Sequence, residues 1–178
     1  LHDTVLVEGL FTVSTKHKKT IELEIAMQFT NSYQENILSF VNNVRTKDGG
    51  THEIGFKSAL TRTINDYARK YNLLKEKESN LDGSDIREGL TAVISLRIPE
   101  EVLEFEGQTK GKLGTPEARN ATDQLIYEKM TTYLEENREI ASKIINRSLQ
   151  AQRAREAARK AREEARNGKT KSKKEITL

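Results

Sequence analysis

Apolar and polar residues alternate most cleanly over Thr20 to Thr30 (TIELEIAMQFT), where Ile21, Leu23, Ile25 and Met27 fall at every second position. That is the signature of a half-buried strand. Upstream, Val5, Val7, Phe11 and Val13 share a face, with Gly9 marking a bulge, so the two runs predict a hairpin joined by the polar stretch STKHKK. A third run, Ile37 to Val44, carries Leu38, Phe40 and Val41 and leads to a turn at Asp48-Gly49-Gly50. From there the period changes: Phe56, Leu60, Ile64, Tyr67 and Ala68 recur at helical spacing, which predicts a helix capped by Thr51, blemished by Gly55 and ending near Leu74.

The second half repeats the alternation of sheet and helix. NLDGS, residues 80–84, is a turn, a short DIREG segment follows, and LTAVISLRI reads as a strand closed by Pro99. Thr115-Pro116-Glu117 supplies a cap, a proline at the first helical position and an acid in the first turn, opening a helix on which Ala118, Ala121, Leu125 and Ile126 share one side. Ile140, Ile144, Ile145 and Leu149 continue an apolar stripe. Beyond it AQRAREAARKAREEARNG contains only alanine as an apolar residue. Such a segment is a good helix with no core to bury, ending at Asn167-Gly168 before a basic terminus. Strands, helix, strand, helices define an α+β or split βαβ arrangement. The divisions are 1–136 for the core, 137–168 for a helical extension and 169–178 for a basic linker.

Charge sharpens that division. Of the 30 Lys and Arg and 27 Asp and Glu in 178 residues, 13 basic and 5 acidic residues lie from Arg138 onward, leaving 17 and 22 before it. The net +3 is therefore about +8 on the tail and −5 on the body. A surface facing nucleic acid and a solvated helix of mixed charge both fit the tail, and a coiled coil is disfavoured because no leucine or isoleucine heptad continues past Leu149. The absence of cysteine excludes disulfides and thiolate metal sites. Neither a signal peptide nor a membrane span is visible, so a cytoplasmic location is expected.

Candidate chemistry is sparse. His2, His17 and His52 lack metal-ligand spacing, His52 being placed for local hydrogen bonds beside the GG turn; Glu100, Glu101, Glu104 and Glu106 crowd into one acidic loop. No metal site and no self-contained catalytic set is expected. There remains EFEGQTKGKLG, where Gln108-Thr109-Lys110 stands between glycines. A lysine on such a loop can extend its ammonium to a terminal phosphate, with Gln108 beside it holding an oxygen or a water.

Four stretches in this order and spacing, SFVNNVRTKDGGTHEIGFKSALTRTINDYARK, LDGSDIREGLTAVISLRIPE, FEGQTKGKLG and AREAARKAREEAR, resemble the transducer domain of the ATPase (B) subunit of bacterial type IIA DNA topoisomerases. The wording NNVRTKDGGTHE resembles the topoisomerase IV branch of that family more than the gyrase branch, which more often has NNINTHEGGTHE. The resemblance implies a ribosomal protein S5 domain 2-like fold with a left-handed βαβ crossover and a long C-terminal helical extension. It implies a QTK loop, Gln108 and Lys110, that contacts the γ-phosphate of ATP in a neighbouring GHKL domain, and Arg62 facing a DNA cavity. ATP and Mg²⁺ would be held mostly by that other domain, and the partners would be double-stranded DNA, the adjacent ATPase domain and an A-type subunit in a heterotetramer. The implied activity is ATP-coupled strand passage in relaxation, decatenation and chromosome segregation, the fragment alone being inactive. Supercoiling in a gyrase B subunit, or a non-catalytic S5-like nucleic-acid-binding module, are the alternatives.

Overall fold

A computed structural model describes residues 11–17 and 20–176. Ile21–Phe29 (β2) buries the whole predicted face, Ile21, Leu23, Ile25 and Met27, and Phe29 with it. Leu90–Arg97 (β5) likewise turns Leu90, Ala92, Ile94 and Leu96 inward. Phe11–His17 (β1) pairs antiparallel with β2, Phe11 opposite Met27 and His17 opposite Ile21. Ser14 to His17, expected in the connection, therefore belong to the strand. The expected bulge at Gly9 and the upstream half of the run lie outside the described residues.

Asn36–Val41 (β3) runs parallel to β5, and Val44–Arg45 (β4) folds back on it. The turn between them is Asn42-Asn43, both at positive φ (48° and 67°). Asparagine tolerates that region, and a pair of such residues makes the two-residue hairpin whose twist suits the strands. The run read as continuous to Val44 thus breaks after Val41. Asn42 also exchanges side-chain hydrogen bonds with the backbone of Ile98, at 2.9 and 3.0 Å. The sheet order is β1-β2-β5-β3-β4, and the parallel pair β3 and β5 is joined through helices as a βαβ unit.

Two long helices cover one face of the sheet: Thr51–Lys70 (α1) and, after the four-residue Gly83–Ile86 (α2), Pro116–Glu136 (α3). α1 packs on α3, and Phe56, Ala59, Leu60 and Ile64 of the one lie with Ala118, Ala121, Ile126 and Met130 of the other in a single buried core that includes the inward residues of the strands. Each such side chain fully withdrawn from water contributes about 1.5–3 kcal/mol if large. Gly55 has its reason here. A Cβ at this position would collide with the Arg119 carbonyl and stand 3.2 Å from the Asp123 nitrogen, so glycine permits the close crossing. α1 ends four residues earlier than expected, because Asn72 (φ 56°) turns the chain and lets the amides of Leu73 and Leu74 both reach the Ala68 carbonyl. Thr51 does not cap it either: its hydroxyl donates to the Thr115 carbonyl at 2.7 Å, and the cap position is Gly50.

Arg138–Ile176 (α4) begins inside the core, with Ala141, Ile144 and Ile145 buried, so the packed body extends beyond residue 137. Arg147 donates to the carbonyls of Glu88 and, at 2.9 Å, Ser32; Arg155 grips the carboxylate of Asp85 at 3.0 Å, although Asp85 is only 5 % exposed. Ala151 is still buried against the body, whereas the side chains of residues 157–169 are exposed. The stop expected at Asn167-Gly168 is not used, and the helix runs on to Ile176. A helical glycine costs only about 1 kcal/mol, which flanking lysines and arginines of good propensity offset. Among the described residues no helix is long and apolar enough to cross a membrane.

Candidate functional site

The QTK residues sit at the tip of a small hairpin. Phe105–Glu106 (β6) pairs with Lys112–Leu113 (β7), and residues 107–111 form the loop between them. Gly107 (φ 82°) and Lys110 (φ 56°) both adopt left-handed backbone. A non-glycine residue there carries roughly 1–2 kcal/mol of strain, and such strain gathers at functional loops. Gln108, Thr109 and Lys110 are exposed, and among the described residues neither Gln108 nor Lys110 has a side-chain hydrogen bond or ion pair. Lys112 differs: its ammonium pairs with Glu106 at 3.1 Å.

If the tip is open, the base is fixed. The Asp48 N–H donates to the Gly111 carbonyl at 2.8 Å, and the Leu113 N–H donates to the Gly49 carbonyl at 3.0 Å. Gly50 forms a parallel bridge with Leu113, approaching it so closely that a Cβ would stand 2.5 Å from the Leu113 nitrogen. On the far strand the Gly114 N–H bonds to the Glu104 carbonyl, and the buried Thr115 hydroxyl accepts from the Glu104 N–H at 2.9 Å while donating to the Val102 carbonyl at 3.1 Å. Thr115 occupies the cap position of α3 as expected, but its hydroxyl serves the hairpin and not the helix. The turn at residues 48–50, legible in sequence only as a turn, is the hairpin's anchor.

Behind that turn lies a polar cluster in which Ser39, Thr46 and His52 are buried and Glu53 is half-buried. Ser39 donates to a Glu53 carboxylate oxygen at 2.6 Å, and the hydroxyls of Ser39 and Thr46 are 2.6 Å apart. Thr46 also donates to the Ser39 carbonyl at 3.0 Å, and His52 Nε2 lies 3.0 Å from its oxygen. The local hydrogen bond expected of His52 is thus present, but the ring is completely buried, and burial pulls its pKa down from 6.5 to about 4. Its Nδ1 has no partner.

Arg62 is committed to the body. Its guanidinium makes two hydrogen bonds to Asp123, at 2.7 and 3.2 Å, and lies 4.3 Å from the centroid of the Tyr127 ring, whose hydroxyl donates to Asp66 at 2.8 Å. The Asp123 hydrogen bond holds the guanidinium pKa up. The side chain is still 45 % exposed, at the edge of an open groove of about 440 Å³ that Lys57, Thr61, Asn65 and Arg87 also line. Among the described residues no cluster of three or more His, Asp or Glu is placed to hold a metal ion.

The architecture is that of an α+β domain carrying an exposed lysine hairpin and a long basic helix. A family model described as DNA gyrase B matches residues 2–164, and the chain belongs to that family, the B subunits of type IIA topoisomerases. It is 64% identical over 159 residues to the DNA topoisomerase 4 B subunit of Bacillus subtilis, covering 89% of this chain and 24% of that protein. With the protein of the same name from Staphylococcus epidermidis it shares 57% over 158 residues, 89% of this chain and 23% of the other. The chain therefore spans about a quarter of the length of these relatives. Among solved structures, the 43K ATPase domain of Thermus thermophilus gyrase B, in complex with an aminocoumarin, superposes with TM-score 0.83 at 43% identity, over 91% of this chain and 43% of that one. The topoisomerase IV ATP-binding domain of Francisella tularensis, in complex with a small-molecule inhibitor, gives TM-score 0.74 at 25% identity, over 83% and 40%.

Proposed function

We propose that this chain is the transducer of an ATP-dependent type IIA topoisomerase B subunit of the topoisomerase IV kind, with a ribosomal protein S5 domain 2-like fold. One observation carries this reading: Gln108 and Lys110 are exposed and without side-chain partners among the described residues, on a loop whose base is held by backbone bonds from both sides. A fixed base with an open tip suits residues that complete a site on another domain. The high identity to topoisomerase 4 B subunits supports the choice of branch.

In this reading Gln108 and Lys110 contact the γ-phosphate of ATP bound to a preceding GHKL domain, which also holds Mg²⁺. Lys110 supplies a point charge and Gln108 an amide, the donor types that hold a phosphoryl oxygen. Their contact exists only when the two domains are closed together, so nucleotide favours that arrangement by the differential free energy of the contact. Release of phosphate removes it. Arg147 and Arg155 dock the root of α4, so movement of the body is carried along a stiff helix toward the DNA-cleaving gate formed with an A-type subunit in the cytoplasm. Double-stranded DNA passes between protomers, held through its phosphates. The part of α4 from residue 157 onward, exposed as far as residue 169, is the lever that leads to the next domain. The outcome is relaxation and decatenation, serving chromosome segregation.

The test is to assay ATP hydrolysis by this chain alone and by the intact subunit. Turnover is expected only in the intact subunit; turnover by the chain alone that depends on Lys110 contradicts the division of labour.

A further inference from the structure

The cluster of Ser39, Thr46, His52 and Glu53 sits directly behind the anchor of the QTK hairpin, and its hydrogen-bond roles can be assigned. Ser39 has one proton, and it is donated to the Glu53 carboxylate oxygen at 2.6 Å. The Thr46 proton then goes to Ser39, at the carbonyl or the hydroxyl. Having spent its only proton, the Thr46 oxygen accepts from His52, which must carry its proton on Nε2. The unpartnered Nδ1 is therefore a bare lone pair in a sealed site, and the ring is neutral.

Thr46 is also bound to the turn. Its N–H donates to the Ser39 carbonyl at 2.9 Å, and its own carbonyl accepts from the Gly49 N–H at 3.1 Å. The Glu53 carboxylate lies against Gly49, so closely that a Cβ there would be 2.9 Å from Oε2. Gly49 in turn accepts from Leu113, and Asp48 donates to Gly111, one residue from Lys110. An unbroken set of hydrogen bonds runs from a strand and a helix of the core to the hairpin. A largely buried polar cluster of this kind fixes geometry because every member constrains the next.

We infer that Ser39, Thr46, His52 and Glu53 are positioning residues for Lys110: they lock the 46–50 turn and thereby set the height and direction at which the QTK tip leaves the body. The inference rests on the reading of Lys110 as a phosphate contact. It assigns to His52 neither proton transfer nor metal binding, but a donor role in one fixed tautomer.

The experiment uses the intact B subunit with Thr46→Val, which keeps the side-chain shape and removes the hydroxyl, Thr46→Ser, which restores it, and both combined with Lys110→Ala. Hydrogen exchange of the 105–113 segment and steady-state ATP hydrolysis are measured. Thr46→Val is expected to speed exchange in the hairpin about tenfold or more while strand β5 stays protected, and to lower kcat about tenfold with KM changed less than twofold. Thr46→Ser returns both toward the parent. In the Lys110→Ala background Thr46→Val changes kcat less than twofold, since the group it positions is gone. Equal losses in both backgrounds, or unchanged hairpin exchange, overturn the positioning role. An unchanged kcat in Lys110→Ala alone overturns the phosphate reading and this catalytic consequence together, whereas unchanged exchange with an impaired Lys110→Ala overturns only the positioning.

Discussion

Gly50 stands against Leu113 with no room for a side chain: a Cβ on Gly50 would lie 2.5 Å from the Leu113 nitrogen and 2.8 Å from its Cα. Its φ of 138° is one that side-chain-bearing residues avoid. The start of α1 and the return strand of the QTK hairpin are thus held together at a point only glycine can occupy. Gly50→Ala should destabilise the chain by about 2–4 kcal/mol, through steric conflict and backbone strain acting together. Urea unfolding measures this; a loss below about 0.5 kcal/mol would mean that the hairpin is not pinned there.

Arg62 tests a different link. Its pairing with Asp123 is half exposed and should contribute no more than about 1 kcal/mol. If Arg62 faces DNA, Asp123→Asn releases its charge and should tighten duplex binding by the intact subunit at low salt. Arg62→Ala should weaken binding and flatten its salt dependence. Binding that responds to neither substitution removes Arg62 from the DNA-facing surface and leaves it as a brace between α1 and α3.

His52 makes stability depend on pH. Its folded pKa of about 4 lies below the ordinary 6.5, so between these values the unfolded chain binds a proton that the folded chain refuses. The contribution is complete above pH 6.5 and is lost as pH falls toward 4, amounting to about 3 kcal/mol over that window. His52→Gln abolishes this component. Unfolding free energies at pH 7 and pH 4.5 should converge for the variant relative to the parent; the same pH slope in both would show that His52 is protonated in the fold.

Much of this arrangement was legible in the sequence where a short-range pattern carried it. The inward face of β2, the strand at LTAVISLRI, the helix opening at Thr115-Pro116 and the glycine-flanked QTK loop all follow from short-range spacing. What was hidden depends on contacts across the chain. Thr51 and Thr115 look like caps by type and position, yet their hydroxyls bond partners 64 and 11 residues away. Gly55 looks like a defect in α1 until α3 is laid against it. Arg147 and Arg155 look like two more charges on a solvated helix, and only the folded chain brings them to Glu88, Ser32 and Asp85. His52 carries no sequence mark of complete burial, since its neighbours Thr51 and Glu53 are polar. The Asn42-Asn43 turn did have a signal, two adjacent asparagines that tolerate positive φ, between runs of apolar residues.

The central claim is that Lys110 acts on a phosphate outside this domain. The most direct measurement compares ATP hydrolysis by the intact B subunit carrying Lys110→Ala with the same subunit carrying Lys112→Ala. These two lysines share the hairpin, but Lys112 is paired with Glu106 and lies beyond the tip. Loss of a charged donor that stabilises transferring phosphate should lower kcat by about 10²-fold or more for Lys110→Ala, while Lys112→Ala should stay within about twofold of the parent. Equal rates for the two variants, or a Lys110→Ala subunit as active as the parent, would contradict it.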